Sequence, residues 1–345
     1  MTSRAGSGRL VTRLAGTYAL AETYHLDALR AEMRTLTDEA SSVVRQATGL
    51  EPAGAPRVLV IGRSEWIERN VATFEHMTEP ARRRLRERFS DHEKGERAGA
   101  MADRFFRTET SAVLGVLSRK VLGQYELVLP TGESGDHVAY VGPNVLHIER
   151  IHQFNPREFR YWVALHELTH RAQFQGVPWL RSHFLGLVEE LVSQAKPEQG
   201  RLGRVLEEVA RRRSEGVPLV DERGLFGLFA SPRQSELIDR IQALMSLLEG
   251  HGHVVMDRVG RERLRTLERM SRALKTRRQD ARTAAFFRLT GLEMKLKQYE
   301  MGERFVLAVE KEAGWDAVAL AFRGAGSLPT LEEIKAPSTW LARVA

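Results

Sequence analysis

The stretch Asn155-Pro-Arg-Glu-Phe-Arg-Tyr-Trp-Val-Ala-Leu-His-Glu-Leu-Thr-His-Arg-Ala-Gln-Phe-Gln-Gly-Val-Pro178 carries helix signals at both ends. Asn155 is a good N-cap, Pro156 suits the first helical position, and Glu158 is placed to reach back to the cap as in a capping box. At the other end Gly176 is suited to the left-handed C-terminal position, and Pro178 blocks continuation. The span between them is about five and a half turns at roughly 3.6 residues per turn. His166 and His170 stand four apart, so their imidazoles lie one above the other on one face, while Glu167 projects about 100° round from His166.

His166-Glu167-Leu168-Thr169-His170 is therefore a His-Glu-x-x-His pattern inside a capped helix. Two neutral imidazoles one turn apart ligate one Zn²⁺ and leave open positions when the protein adds a single further ligand. An adjacent carboxylate is placed to take a proton from water whose pKa the metal lowers. The competing reading makes His166 and His170 ordinary members of a buried stripe with Phe159 and Val163. A chance match rarely falls inside a long helix marked at both ends, so the metal reading is preferred.

Working outward, the 345 residues suffice for a large core and two subdomains, divided here as 1–154 and 155–345. There is no Cys, which excludes disulfides and thiolate zinc sites, so any metal must use His and carboxylates. No apolar run followed by a cleavage signal opens the chain, and no window approaches a bilayer span. A cytoplasmic location without membrane association is expected. The net charge of +7 is concentrated between Arg258 and Arg282, where ten Lys/Arg face three acidic residues. A segment of that kind is more often a solvated helix face than a nucleic-acid surface, and it lacks aromatics for base stacking. Nucleic acid is not the expected partner.

Upstream, apolar positions at three- and four-residue steps predict a long amphipathic helix from Thr17 to Ala47, with Gly49 as its stop. Val58–Ile61 reads as a short buried strand. Tyr125–Leu129, His137–Val141 and Val145–Glu149 are short runs separated by turn residues and predict a small antiparallel meander before the motif helix. Downstream, Trp179–Gln194, Gln234–Glu249 and Phe286–Glu312 read as helices, the second meeting a Gly-spaced turn at Gly250-His251-Gly252-His253. The fold class expected is α+β, mostly helical, with the small antiparallel sheet preceding the His-Glu-x-x-His helix.

A catalytic zinc expects a third protein ligand. A third His six residues after the second is excluded, because Gly176 holds that place. A Glu from a later helix leaves two candidates, Glu190 and Glu249. Glu249 is favoured because it ends an apolar helix, where a lone carboxylate is costly to bury without a partner cation. His251 and His253 follow it as supporting groups or proton carriers. Glu190 and His253 stay open as alternative ligands. Tyr299 and His253 are the candidate donors for the oxyanion of a tetrahedral intermediate.

Several blocks together suggest a family: the motif helix, Val121–Tyr125, Tyr140–Asn144, Leu247–His251 through Asp257, and Lys297–Glu303. Across most of its length the chain resembles the zincin-like metallopeptidases and hydrolases sometimes labelled as associated with deazaflavin-coenzyme biosynthesis. The resemblance implies a zincin-type fold, zinc at His166 and His170, Glu167 as the base, and support for Glu249. It also implies a substrate strand added to the sheet beside the metal. Two features depart from the better-known zincins with a Glu ligand. Glu249 follows His170 by 79 residues, and His253 stands where those proteins carry an Asp.

The expectation is a zinc-dependent hydrolase, a metallopeptidase acting on a peptide or other amide with Glu167 as general base. The alternative is a non-catalytic protein that holds the metal structurally and docks an anionic partner through the basic segment 258–282.

Overall fold

The computed structural model describes residues 15–89, 110–111, 113–194, 231–278 and 293–345. The chain divides into two compact units, Met1–Gly176 with Arg263–Thr266, and Val177–Glu262 with Leu267–Ala345. The secondary structure is predominantly helical with one three-stranded sheet, an α+β arrangement. Among the described residues no helix is long and apolar enough to cross a membrane.

In the first unit, α1 (Tyr24–Thr48) buries Leu29, Met33, Leu36 and Ala40 of the expected apolar stripe, together with Val44, while Tyr24 is exposed. It starts later than predicted, after a short 3₁₀ turn at Ala19–Glu22. Gly49 ends it in the left-handed conformation, its N–H donating to the Arg45 carbonyl. β1 (Arg57–Ile61) leads into α2 (Arg63–Phe89), and β2 (Gly123–Val128) and β3 (Ser134–Val141) follow. The strand order is β1-β3-β2, with β1 parallel and β2 antiparallel to the central β3.

The sheet is thus mixed. The run Val145–Glu149, expected as its third strand, lies instead in α3 (Gly142–Ile151). Buried Val145, Leu146 and Ile148 fit a helix as well as a short strand, an ambiguity that periodicity over five residues does not resolve. Asn144 decides it. Its side-chain amide donates to the Ser118 and Val121 carbonyls at 2.7 and 2.6 Å and accepts from Arg63 Nε at 2.7 Å, which holds the first turn.

The motif helix is α4 (Pro156–Gly176), and it is buried over most of its circumference. It packs against α1 on one side and against β2 and β3 on the other. Asn155 caps it as expected, with the Glu158 N–H donating to Asn155 Oδ1 at 3.2 Å. The reciprocal arm of the capping box is replaced: Glu158 Oε2 accepts from the backbone N–H and hydroxyl of Thr266. Gly176 does not take the left-handed conformation. Its lack of a side chain serves close approach instead, since a Cβ there would lie 3.0 Å from Leu50 Cβ and 3.1 Å from Glu51 N.

The second unit comprises α5 (Leu180–Ser193), α6 (Pro232–Arg263), α7 (Leu267–Arg278) and α8 (Glu293–Ala313). A 3₁₀ segment Trp315–Phe322 and the short helices α9 (Leu331–Lys335) and α10 (Pro337–Val344) follow among the described residues. Its core joins Ala243, Leu247 and Val254 of α6 to Phe305, Val306 and Val309 of α8, closed by Trp340. The predicted turn at Gly250–His253 is absent, because α6 runs straight through it. A Cβ on Gly250 would collide with the backbone of Gly302, and one on Gly302 with the Ser246 carbonyl. The two glycines let α6 and α8 cross backbone to backbone. That packing outweighs the helix penalty of about 1 kcal/mol per glycine.

Candidate active site

α4 carries the two histidines into near contact. Their Nε2 atoms are 3.2 Å apart, with ring planes at 83° and centroids 4.6 Å apart. Two nitrogens bound to one tetrahedral zinc at about 2.0–2.1 Å sit roughly 3.3–3.4 Å from each other. The described pair therefore fits that ion without rearrangement. His170 Nδ1 lies 2.9 Å from Gln173 Oε1. With Nδ1 donating to that oxygen, the Nε2 lone pair is directed at the shared point, the usual way a protein orients a metal-binding imidazole.

Glu167 is buried and its carboxyl lies against the start of β2. A Cβ at Gly123 would stand 2.7 Å from Glu167 Cγ and Oε1 and 2.8 Å from Cδ, so glycine is what makes room for the carboxylate. Tyr140 is the cross-strand partner of Gly123, and opposed residues point to the same face. Burial first, and the charge of Glu167 in addition, push the Tyr140 phenol far above its ordinary value. Thr37 Oγ1 donates to the Met33 carbonyl at 2.6 Å, so the Tyr140 hydroxyl donates to Thr37 across 2.9 Å. That phenol is a neutral tie between β3 and α1.

The floor beneath the motif is held by Arg171, also on α4 and only 2% exposed. Its guanidinium forks onto Asp136 at 2.7 and 2.8 Å and donates to the Ala53 and Gly54 carbonyls at 2.7 and 3.0 Å. A buried guanidinium needs this density of acceptors.

The second unit holds the other predicted site residues. Glu249 is buried on α6. His253 and Asp257 follow it at four-residue steps on the same helix face. His251 turns elsewhere, stacked on Trp315 at 5.6 Å with planes 11° apart and edge-on to Phe322 at 5.3 Å. Glu190 is partly exposed and accepts from Arg233 Nε and Nη2 at 3.0 and 2.6 Å. Tyr299 lies on α8, with its side chain outside the described residues, as is the basic segment from Leu274 to Arg282. At the described start of the basic segment 258–282, Arg258 is engaged by Glu310 and lies 4.2 Å above the Trp315 ring. Two neighbours of the motif escaped sequence reasoning. Gln173 was detectable as a polar residue three positions after His170, on the same face. Gly123 stood in the block Val121–Tyr125 with nothing in the sequence to mark its approach to Glu167.

Residues 8–341 match the family model of the zincin-like metallopeptidases. The chain belongs to that family. The zincin-like chain is also similar to a solved structure, "Crystal structure of a putative hydrolase with a novel fold from Chloroflexus aurantiacus". The TM-score is 0.67 at 26% identity, over 99% of this chain and 96% of the other. No curated protein matches. Family and neighbour together support a hydrolase, and the family implies a metal, typically zinc. The imidazole pair of α4 suits such an ion by donor chemistry as well as spacing, since neutral nitrogen ligands are those zinc takes where no thiolate exists.

Proposed function

We propose that this zincin-like protein is a zinc-dependent metallopeptidase in which His166, His170 and Glu249 hold the metal and Glu167 is the general base. The observation that carries the reading is the 3.2 Å approach of the His166 and His170 Nε2 atoms, one residue from a buried carboxylate. Glu249 is preferred as third ligand because it is a buried carboxylate in an apolar helix, whereas Glu190 is already engaged by Arg233 at the surface. Zinc, when bound, supplies Lewis acidity that activates water and polarises a carbonyl.

Glu167 takes the proton from the attacking water and passes it to the leaving nitrogen, so one carboxylate serves as base and then acid. Gly123 keeps that carboxylate in place, and Gln173 orients His170. Among the described residues β2 pairs only with β3, which leaves its outer edge open to an extended peptide. A substrate strand added there runs beside Gly123 and hence beside Glu167.

Glu167→Gln tests the base. The variant should keep its zinc and lose turnover of a peptide substrate by at least about a hundredfold. Unchanged turnover refutes the assignment. Metal content of His166→Ala, Glu190→Ala and Glu249→Ala beside wild type tests the ligand set. Loss in Glu190→Ala with retention in Glu249→Ala would reverse the choice of third ligand.

A further inference from the structure

The close crossing of α6 and α8 has a chemical consequence one turn beyond Gly250. His253 and Asp257 of α6 are brought against Glu303, the residue next to Gly302 on α8. His253 Nε2 lies 3.6 Å from Glu303 Oε2 and 4.0 Å from Asp257 Oδ2. One donor atom from each of the three lies within 4.8 Å of the others. His253 is 4% exposed, and both carboxylates are partly buried.

Two species bring two carboxylates to one imidazole nitrogen in this way: a proton on that nitrogen, or a cation between the three groups. The distances discriminate. An N–H···O bond to a carboxylate closes to about 2.7–3.2 Å, and both contacts are longer than that. Ligands of one ion bound at about 2.0–2.2 Å stand roughly 3–4 Å from each other, and the two distances from His253 Nε2, 3.6 and 4.0 Å, lie in that range. Access exists as well. Asp257 and Glu303 line a pocket of about 330 Å³ with two further acids, Glu262 and Glu310, and two arginines, Arg258 and Arg261, of which Arg258 is engaged by Glu310. An ion there would reach solvent and complete its coordination with water.

We propose that His253, Asp257 and Glu303 form a divalent-cation site of their own, sharing no residue with the set His166, His170 and Glu249. One imidazole and two carboxylates, with open positions toward water, form a donor set suited to Zn²⁺ or Mn²⁺. The site is built on two helices locked by a glycine crossing, so its three donors are held before the ion arrives.

The test is metal stoichiometry of the full chain, stripped with chelator and titrated separately with Zn²⁺ and Mn²⁺. Wild type should bind two zinc equivalents. The double variant Asp257→Asn/Glu303→Gln should bind one. His166→Ala/His170→Ala should keep one, and Glu303→Gln added to that pair should abolish it. One equivalent in wild type that His166→Ala/His170→Ala removes would overturn the α6–α8 site and leave the hydrolase reading standing. One equivalent that survives His166→Ala/His170→Ala but not Glu303→Gln would do the reverse. Far-UV circular dichroism confirms that each variant is folded. Should Asp257→Asn/Glu303→Gln fail that check, titration of His166→Ala/His170→Ala alone decides, because no binding in that variant overturns the site.

Discussion

The buried carboxyl group of Glu167 fills the space that a side chain on Gly123, the first residue of β2, would take. A methyl group on Gly123 would stand 2.7 Å from Glu167 Cγ, which is not the mobile end of the side chain. Gly123→Ala should therefore displace the proposed base while leaving both imidazoles untouched. Turnover is expected to fall about a hundredfold, the cost of misplacing a catalytic group by roughly 1 Å. Zinc content should stay at the wild-type value, which inductively coupled plasma spectrometry would establish. Full turnover in a folded, zinc-loaded Gly123→Ala protein would show that Glu167 is not the base.

Arg171 lies beneath the motif as a buried cation whose acceptors are Asp136 and two backbone carbonyls of the β1 approach. Arg171→Met should cost about 3 kcal/mol, the low end for a broken buried pair, because Asp136 is 30% exposed and can be rehydrated. Denaturant unfolding followed by fluorescence measures it. A loss below about 1 kcal/mol would show that the fork contributes little.

Gly250→Ala and Gly302→Ala each place a methyl group into backbone of the opposing helix. Alanine gains about 1 kcal/mol of helix propensity over glycine, but backbone cannot move aside as a side chain does. Each change is expected to destabilise the protein by about 3 kcal/mol. Thermal melts that rise instead would mean that α6 and α8 separate readily.

Thr330 and Glu333 form a capping box at the start of α9, and Glu333 also accepts from Arg343 Nε and Nη2 at 2.6 and 2.9 Å. The Arg343 guanidinium, chiefly, holds the Glu333 carboxyl below its ordinary value. A carboxylate depressed in the folded state stabilises above its unfolded pKa, and that contribution is lost as pH falls through the folded one. Glu333→Gln should thus lower Tm at pH 7, and the gap to wild type should narrow as pH falls below about 4.5 toward 3. Thr330→Ala should cost about 1 kcal/mol at pH 7 through the lost cap. An equal Tm gap for Glu333→Gln at both pH values would contradict this.

The motif helix could be read from its residues because its information is local. Asn155 and Pro156 start it, and the four-residue step between His166 and His170 fixes their common face whatever surrounds them. The mostly helical class and the stop at Gly49 follow from the same short-range rules. Glycine was where local reading went astray. Gly250 looked like a turn and Gly176 like a left-handed cap, yet both are helical positions kept bare for another backbone. A missing side chain carries no mark of what approaches it.

The sequence by itself determined the common helix face of His166 and His170, the carboxylate of Glu167 beside them, and the α+β class, since helix periodicity and capping act within a few residues. Only the tertiary structure decided that Val145–Glu149 is helical and that β1 completes a mixed sheet. It alone set Gly123 beneath Glu167 and brought His253, Asp257 and Glu303 together. Each of those outcomes depends on groups far apart in the chain meeting in space, and packing selects among conformations that local propensity leaves nearly equal.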